Sequence, residues 1–313
     1  MDIQLVDYHN VQQLITVLHS VVEFDDTVCL NRGYSDTIKY ICYQSDRPLY
    51  LLRVYPLYRY EHCTQEQRYL QQHHDHGVSC QQPIYSGIFP ELNCCCLLLT
   101  YMEGEDGETA LPQLTPDEQY ILGLAAGQQL HSIHRITPDS PFNWADQRYK
   151  KYISKKTAVQ KLGVSFEQQK ELERYIEKHT YMLENRPIVF QHDDFHPANM
   201  IFNEQRLQGI IDFSRFDWGD PWEEFFKLPK YTCETSIQFA RGQVDGYFNQ
   251  QIPDDFWPRY NLFVAMNQHA TLLGGLNHYS LEQILHKIHQ TIRSHDFAGE
   301  GPPLWYRGNF LHI

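Results

Sequence analysis

The spacing of hydrophobic positions changes character after Met102. Before it, Val11, Leu14, Ile15, Leu18, Val21 and Val22 recur at helical intervals and predict a helix over Val11–Phe24. Three short runs rich in β-branched and aromatic residues follow, Thr27–Leu30, Thr37–Tyr43 and Leu49–Tyr55. The breaks between them carry Asn31, Arg32 and Gly33, then Ser45, Asp46, Arg47 and Pro48, which are turn-forming residues. A helix over Gln65–His76 stops at Gly77, and two more strands are predicted at Gln82–Tyr85 and Cys94–Tyr101. Beyond Met102 the polar run Glu103-Gly104-Glu105-Asp106-Gly107 reads as a linker. Pro116–His134 is a helix with Thr115 as its N-cap and Asp117 and Glu118 in the first turn. Lys150–Leu183 predicts one or two amphipathic helices, and Cys233–His295 is mostly helical with breaks near Pro253 and Gly274-Gly275. The whole pattern predicts an α+β chain, with a small antiparallel β lobe over residues 1–102 and a larger, mainly helical lobe over 103–313. A cleft for ligands is expected where such lobes join.

Composition narrows the class of partner. The 26 Lys and Arg against 39 Asp and Glu give a net charge of −13, which argues against nucleic acid, because phosphate backbones need basic surface. Such acidity fits a cationic ligand, although solubility alone accounts for it. The eight cysteines lack the spacing of a disulfide framework, and Cys94, Cys95 and Cys96 lie in one apolar run with Leu97, Leu98 and Leu99. That run reads as a buried strand using Cys as a small hydrophobe. Met1–Val6 has no signal-like pattern and no apolar run has the length of a membrane span, so a soluble, cytoplasmic protein is expected.

The chemistry concentrates in Val189–Phe202 and Gly209–Phe213. Met200–Phe202 and Leu207–Ile211, separated by Asn203-Glu204-Gln205-Arg206, predict a hairpin that sets Asn199 beside Asp212. An amide oxygen and a carboxylate at one point form a hard-oxygen site for Mg²⁺ carrying phosphates. Asp194 lies five residues before Asn199, on the loop entering the hairpin. It is placed to orient or accept the proton of an attacking hydroxyl. The spacing H-x-D-x-x-x-x-N over His192–Asn199 matches the catalytic loop of protein kinases, and Asp212 matches their metal-binding Asp.

These segments resemble the signature of the aminoglycoside phosphotransferase and choline kinase superfamily, whose members share the protein-kinase-like fold. The likeness extends to Gly219-Asp220-Pro221-Trp222-Glu223-Glu224, with Glu224 where the family usually has Asp, to Ala126–His134, to Val244–Phe248 and to Phe256–Tyr260. It covers most of the chain from Thr27 to Gly275. The resemblance implies a bilobal kinase-like fold and transfer of the γ-phosphate of ATP or GTP, with Mg²⁺, to a small-molecule hydroxyl, an aminoglycoside or other amine-bearing acceptor among them. It further implies a nucleotide base against the hinge near Leu99–Glu103. Asn31–Asp36, with Gly33 and Ser35, takes the place of the phosphate-covering loop, and Glu66 that of the helix glutamate anchoring a phosphate-binding base. The family's usual Lys at that base is replaced by Arg53, which can pair with Glu66 and phosphate oxygens through its fork.

Other polar residues read more plainly. Lys39 is expected to be a solvated strand residue, and His192, Asp193 and His196 to shape the loop. His131 and His134 are expected to pack, and His73, His74 and His76 to form a solvated helix end. Glu224 reads as internal scaffolding. A catalytically inactive nucleotide-binding or small-molecule-binding module is the rival reading. A metal-hydrolase cluster of His192, Asp193, Asp194 and His196 is a third, which leaves Asn199 and Asp212 idle.

Overall fold

The computed structural model describes residues 8–30 and 37–308. The chain divides into two compact units, Met1–Glu105 with Met200–Arg215, and Asp106–Asn199 with Phe216–Ile313.

The first unit is built on a five-stranded antiparallel sheet of β1 (Asp26–Leu30), β2 (Ile38–Gln44), β3 (Arg47–Pro56), β4 (Pro83–Phe89) and β5 (Cys94–Thr100), in the order β1-β2-β3-β5-β4. Side chains alternate between its faces. Tyr40, Cys42, Leu52, Val54, Cys94, Cys96 and Leu98 pack on one face against α1 (Tyr8–Leu18), which contributes Val11, Leu14, Ile15 and Leu18. On α2 (Tyr60–Asp75), Cys63, Glu66, Tyr69, Leu70 and His73 are buried. Six successive residues, Cys94 through Leu99, are buried, which is why β5 reads as an unbroken apolar run. His73 is fully buried, with its ring 5.1 Å from that of Phe213, whereas His74 and His76 are exposed. The solvated helix end thus loses one of its three histidines to the core.

The predicted hairpin forms from Met200–Asn203 and Arg206–Ile210, with Met200 paired to Ile210. Its two turn residues, Glu204 and Gln205, both take positive φ, the requirement of a tight two-residue turn. Sequence position alone groups this hairpin with the helical lobe, but it packs in the first unit. Ile210 N donates to Ser79 O at 2.8 Å, and a Cβ on Gly209 would meet that same oxygen at 2.5 Å, so the approach requires glycine.

The second unit is helical, with long helices at Pro116–Ile133, Trp144–Lys161, Gln169–His179, Ile237–Tyr247, Phe256–Gly275 and Leu281–Arg293. Thr115 and Glu118 close a capping box at the first of these. Leu262, Phe263 and Met266 pack with Trp144, Tyr152, Leu172, Ile176, Ile284 and Ile288 in one core. A two-stranded antiparallel pair, Val189–Gln191 with Asp217–Gly219, leads into the His192–Asn199 loop. Among the described residues no helix is long and apolar enough to cross a membrane.

Candidate functional site

Arg53, Glu66 and Asp212 belong to the first unit, and Asp194 and Asn199 to the second. Gly33 and Ser35 lie outside the described residues.

In the first unit, β3 carries Arg53 inward with 2% of its surface exposed, and α2 presents Glu66 with none. A charge taken this far from water persists only when paired and hydrogen-bonded. Arg53 Nη1 meets Glu66 Oε1 at 2.6 Å, and Tyr55 Oη donates to Glu66 Oε2 at 2.7 Å. The second guanidinium nitrogen, Nη2, reaches Asp212 Oδ1 at 3.2 Å. One fork therefore serves two carboxylates, each through its own nitrogen, whereas an ammonium would have to reach both from a single nitrogen.

Lys39 departs from the solvated role. Its Nζ is 3.2 Å from Asp212 Oδ2, and its side chain is largely covered. The cause is strand register: Lys39 is the cross-strand partner of Arg53. Like charges placed directly opposite repel, and here the Asp212 carboxylate bonds to both and offsets that repulsion. Asp212 has left-handed backbone (φ 64°) and also accepts from Ser214 Oγ at 2.8 Å. Burial alone would push its carboxyl up, but Arg53, Lys39 and Ser214 together hold it well below the usual carboxylate range. Asp212 is ionised at neutral pH, with 27% of its side chain open to solvent.

In the second unit, the His192–Asn199 loop is closed by its own ends. Asn199 Nδ2 donates to Asp194 O at 2.9 Å and to Asp194 Oδ2 at 3.2 Å. Asp194 N donates to His192 Nδ1 at 3.2 Å, which fixes the buried imidazole as loop scaffold. Behind it, Glu224 Oε2 accepts from His192 N at 2.8 Å, the internal role expected of it. Burial pushes the Glu224 carboxyl up to about 7, against the lowering influence of His192 and Lys227.

A residue missed by sequence reasoning completes this loop. Lys227, 7% exposed, donates to Asp193 O and lies 3.3 Å from Asp194 Oδ1. His196 Nε2 is 3.4 Å from the same oxygen, with its ring stacked on Tyr231. Both Asp194 carboxylate oxygens are thus engaged, while its side chain stays 20% exposed. No sequence signal flags Lys227, since its nearness to Asp194 comes from packing. His134 Nδ1 lies 2.9 Å from the Tyr247 hydroxyl, and burial lowers its pKa to about 3, so it is a neutral packing residue. Among the described residues no group of three or more His, Cys, Asp or Glu is arranged to hold a metal ion, which leaves the hydrolase cluster without geometric support.

Comparison with known proteins agrees with the motif reading. The family model described as APH, a phosphotransferase enzyme family, matches residues 29–263. No curated protein matches the sequence. Among solved structures, the gentamicin complex of APH(2'')-IIa aligns at 18% identity over 90% of this chain and 95% of that one, with a TM-score of 0.61. ADP-bound aminoglycoside phosphotransferase APH(2'')-Ib aligns at 16% identity over 90% and 97%, also with a TM-score of 0.61. The GDP complex of wild-type aminoglycoside 2'-phosphotransferase-IIIa aligns at 16% identity over 91% and 97%, with a TM-score of 0.63. At such identities the likeness establishes the kinase-like fold of the aminoglycoside phosphotransferases. The sequence match over residues 29–263 goes further, and by it the chain belongs to the APH phosphotransferase enzyme family.

Proposed function

We propose that this protein transfers the γ-phosphate of ATP or GTP, with Mg²⁺, to a hydroxyl of a small molecule. The observation that carries the reading is the Asp194 carboxylate, held at both oxygens by Asn199, Lys227 and His196 and still partly exposed. A base fixed in this way suits a reaction that depends on positioning and charge neutralisation. In the transfer, the acceptor oxygen bonds to the γ-phosphorus and the bond from phosphorus to the β–γ bridging oxygen breaks. The nucleoside diphosphate leaves with that electron pair, and the hydroxyl proton passes to Asp194.

Arg53, anchored by Glu66, would contact the phosphates, and Gly33 and Ser35 would contribute the covering loop. Two donors suit Mg²⁺. Asp212 is an ionised carboxylate, and Asn199 spends its amide nitrogen on Asp194, which leaves its amide oxygen as a hard donor. When bound, Mg²⁺ neutralises charge on the phosphates. The fold-level neighbours bound to ADP and GDP support a nucleotide donor. Neighbours in complexes with gentamicin, streptomycin and kanamycin put aminoglycosides among the acceptors to try. A cytoplasmic setting is consistent with this chemistry.

The test is transfer of label from γ-labelled MgATP or MgGTP to a panel of aminoglycosides, other hydroxylated antibiotics, choline and sugars. Asp194→Ala should lower turnover by about 10²- to 10⁴-fold with nucleotide affinity nearly unchanged. Asp212→Ala should abolish transfer. Undiminished turnover in Asp194→Ala would exclude the assigned role.

A further inference from the structure

The second unit contains a cavity of about 220 Å³ whose wall includes Asp193, the chain neighbour of Asp194. Four carboxylates line it; three are paired with a cation, while Glu224 leaves its Oε1 without a hydrogen-bond partner among the described residues. Asp193 Oδ1 is 3.4 Å from Lys227 Nζ, and Asp217 Oδ2 is 3.6 Å from Lys151 Nζ. Glu223 Oε1 accepts from Arg148 Nε, and the buried Glu224 accepts from His192 N and holds its own proton up to about pH 7. The cations already on three of these carboxylates, Lys227, Lys151 and Arg148, weaken the wall's attraction for a ligand bearing several ammonium groups.

The wall's unmet groups are the Glu224 Oε1 and a donor on Arg148, a combination that a hydroxyl, which both donates and accepts, can meet. Arg148 lines the cavity with only 5% of its surface exposed, and its Nη2 has no hydrogen-bond partner among the described residues. A buried donor left unsatisfied is costly, and a ligand oxygen there would relieve the cost, whereas an ammonium would be repelled. Asn267 uses its amide nitrogen on Phe263 O at 2.8 Å, which leaves its amide oxygen, and Gln147 adds a second amide. Trp144, Trp218 and Phe226 supply apolar surface. The volume falls below the roughly 300 Å³ at which pockets for drug-sized ligands begin, so the occupant is a single ring rather than several.

We propose that this cavity takes the acceptor, and that the acceptor is a neutral, hydroxyl-rich molecule of single-ring size, a monosaccharide or cyclitol, one of whose oxygens accepts from Arg148. The inference rests on the phosphotransfer reading for its purpose, though not for its binding chemistry.

Isothermal titration of the full chain without nucleotide tests it. The probes are D-glucose, D-galactose, D-ribose and myo-inositol, with D-glucosamine, D-glucuronate and kanamycin as charged counterparts. At least one neutral probe should bind more tightly than any charged one. Gln147→Leu, at an exposed position, should weaken it about 2- to 10-fold, and Arg148→Lys, which keeps the charge beside Glu223 but removes Nη2, should do likewise. Tighter binding of glucosamine, glucuronate or kanamycin, or no binding by any neutral probe, overturns the proposal. A polyol that binds while no acceptor at all takes label from γ-labelled MgATP counts against phosphoryl transfer and leaves the cavity's ligand class standing; a polyol that binds without label while another acceptor is labelled overturns the proposal. Label on kanamycin upholds phosphoryl transfer and counts against this proposal.

Discussion

Replacing Arg53 separates its two duties. Arg53→Met strips the fully buried Glu66 of its cation and removes one of the two cations on Asp212. Breaking a buried pair from one side costs about 3–5 kcal/mol, because the remaining charge is stranded away from water. Arg53→Lys keeps the charge, but one nitrogen cannot stand at both the Nη1 and Nη2 positions. Because Lys39 still holds Asp212, the loss there is one charge-assisted hydrogen bond, about 1.5–3 kcal/mol. Urea unfolding at pH 7, followed by circular dichroism, reads these directly. With a slope of about 1–3 kcal/mol per molar, the Met variant should lose roughly 1 M or more in midpoint and the Lys variant less. The double variant Arg53→Met, Glu66→Gln is the decisive control. With the buried charge gone, it should recover much of the stability that Arg53→Met loses. If the double variant is no more stable than Arg53→Met, or if Arg53→Met unfolds like the parent, the stranded-charge argument fails.

Two further outcomes follow from the second unit. Lys227→Met removes the ammonium from Asp194 Oδ1 and should lower turnover roughly 10- to 100-fold with nucleotide affinity retained; unchanged turnover would show that Lys227 merely fills space. Glu224 gives a pH signature. Its pKa is raised from 4.5 to about 7 in the folded chain, so the folded state binds more protons than the unfolded one between those values, and stability falls as pH rises through that window. The loss is on the order of 3 kcal/mol by pH 8, from the energy of a pKa unit. Glu224→Gln keeps an acceptor for His192 N and should flatten the decline. Equal slopes in parent and variant from pH 4.5 to 8.5 would remove Glu224 as its source.

What the sequence by itself determined is local. The loop from His192 to Asn199 closes through hydrogen bonds between residues five or fewer apart, so its spacing already contains its geometry. The hairpin after it follows from two apolar runs and a short polar turn, and β5 from an unbroken apolar stretch. Arg53 and Glu66 were legible only through the family resemblance, and folding brings them to 2.6 Å. The tertiary structure alone decided the rest. Lys39 looked like a solvated strand lysine until register set it opposite Arg53 and against Asp212. Lys227 reaches Asp194 across 33 residues of chain, and Arg148 meets Glu223 across 75. Periodicity and turn chemistry act over a few residues. An ion pair's worth depends on which distant charge shares its patch of low dielectric, and packing settles that only when the chain has folded.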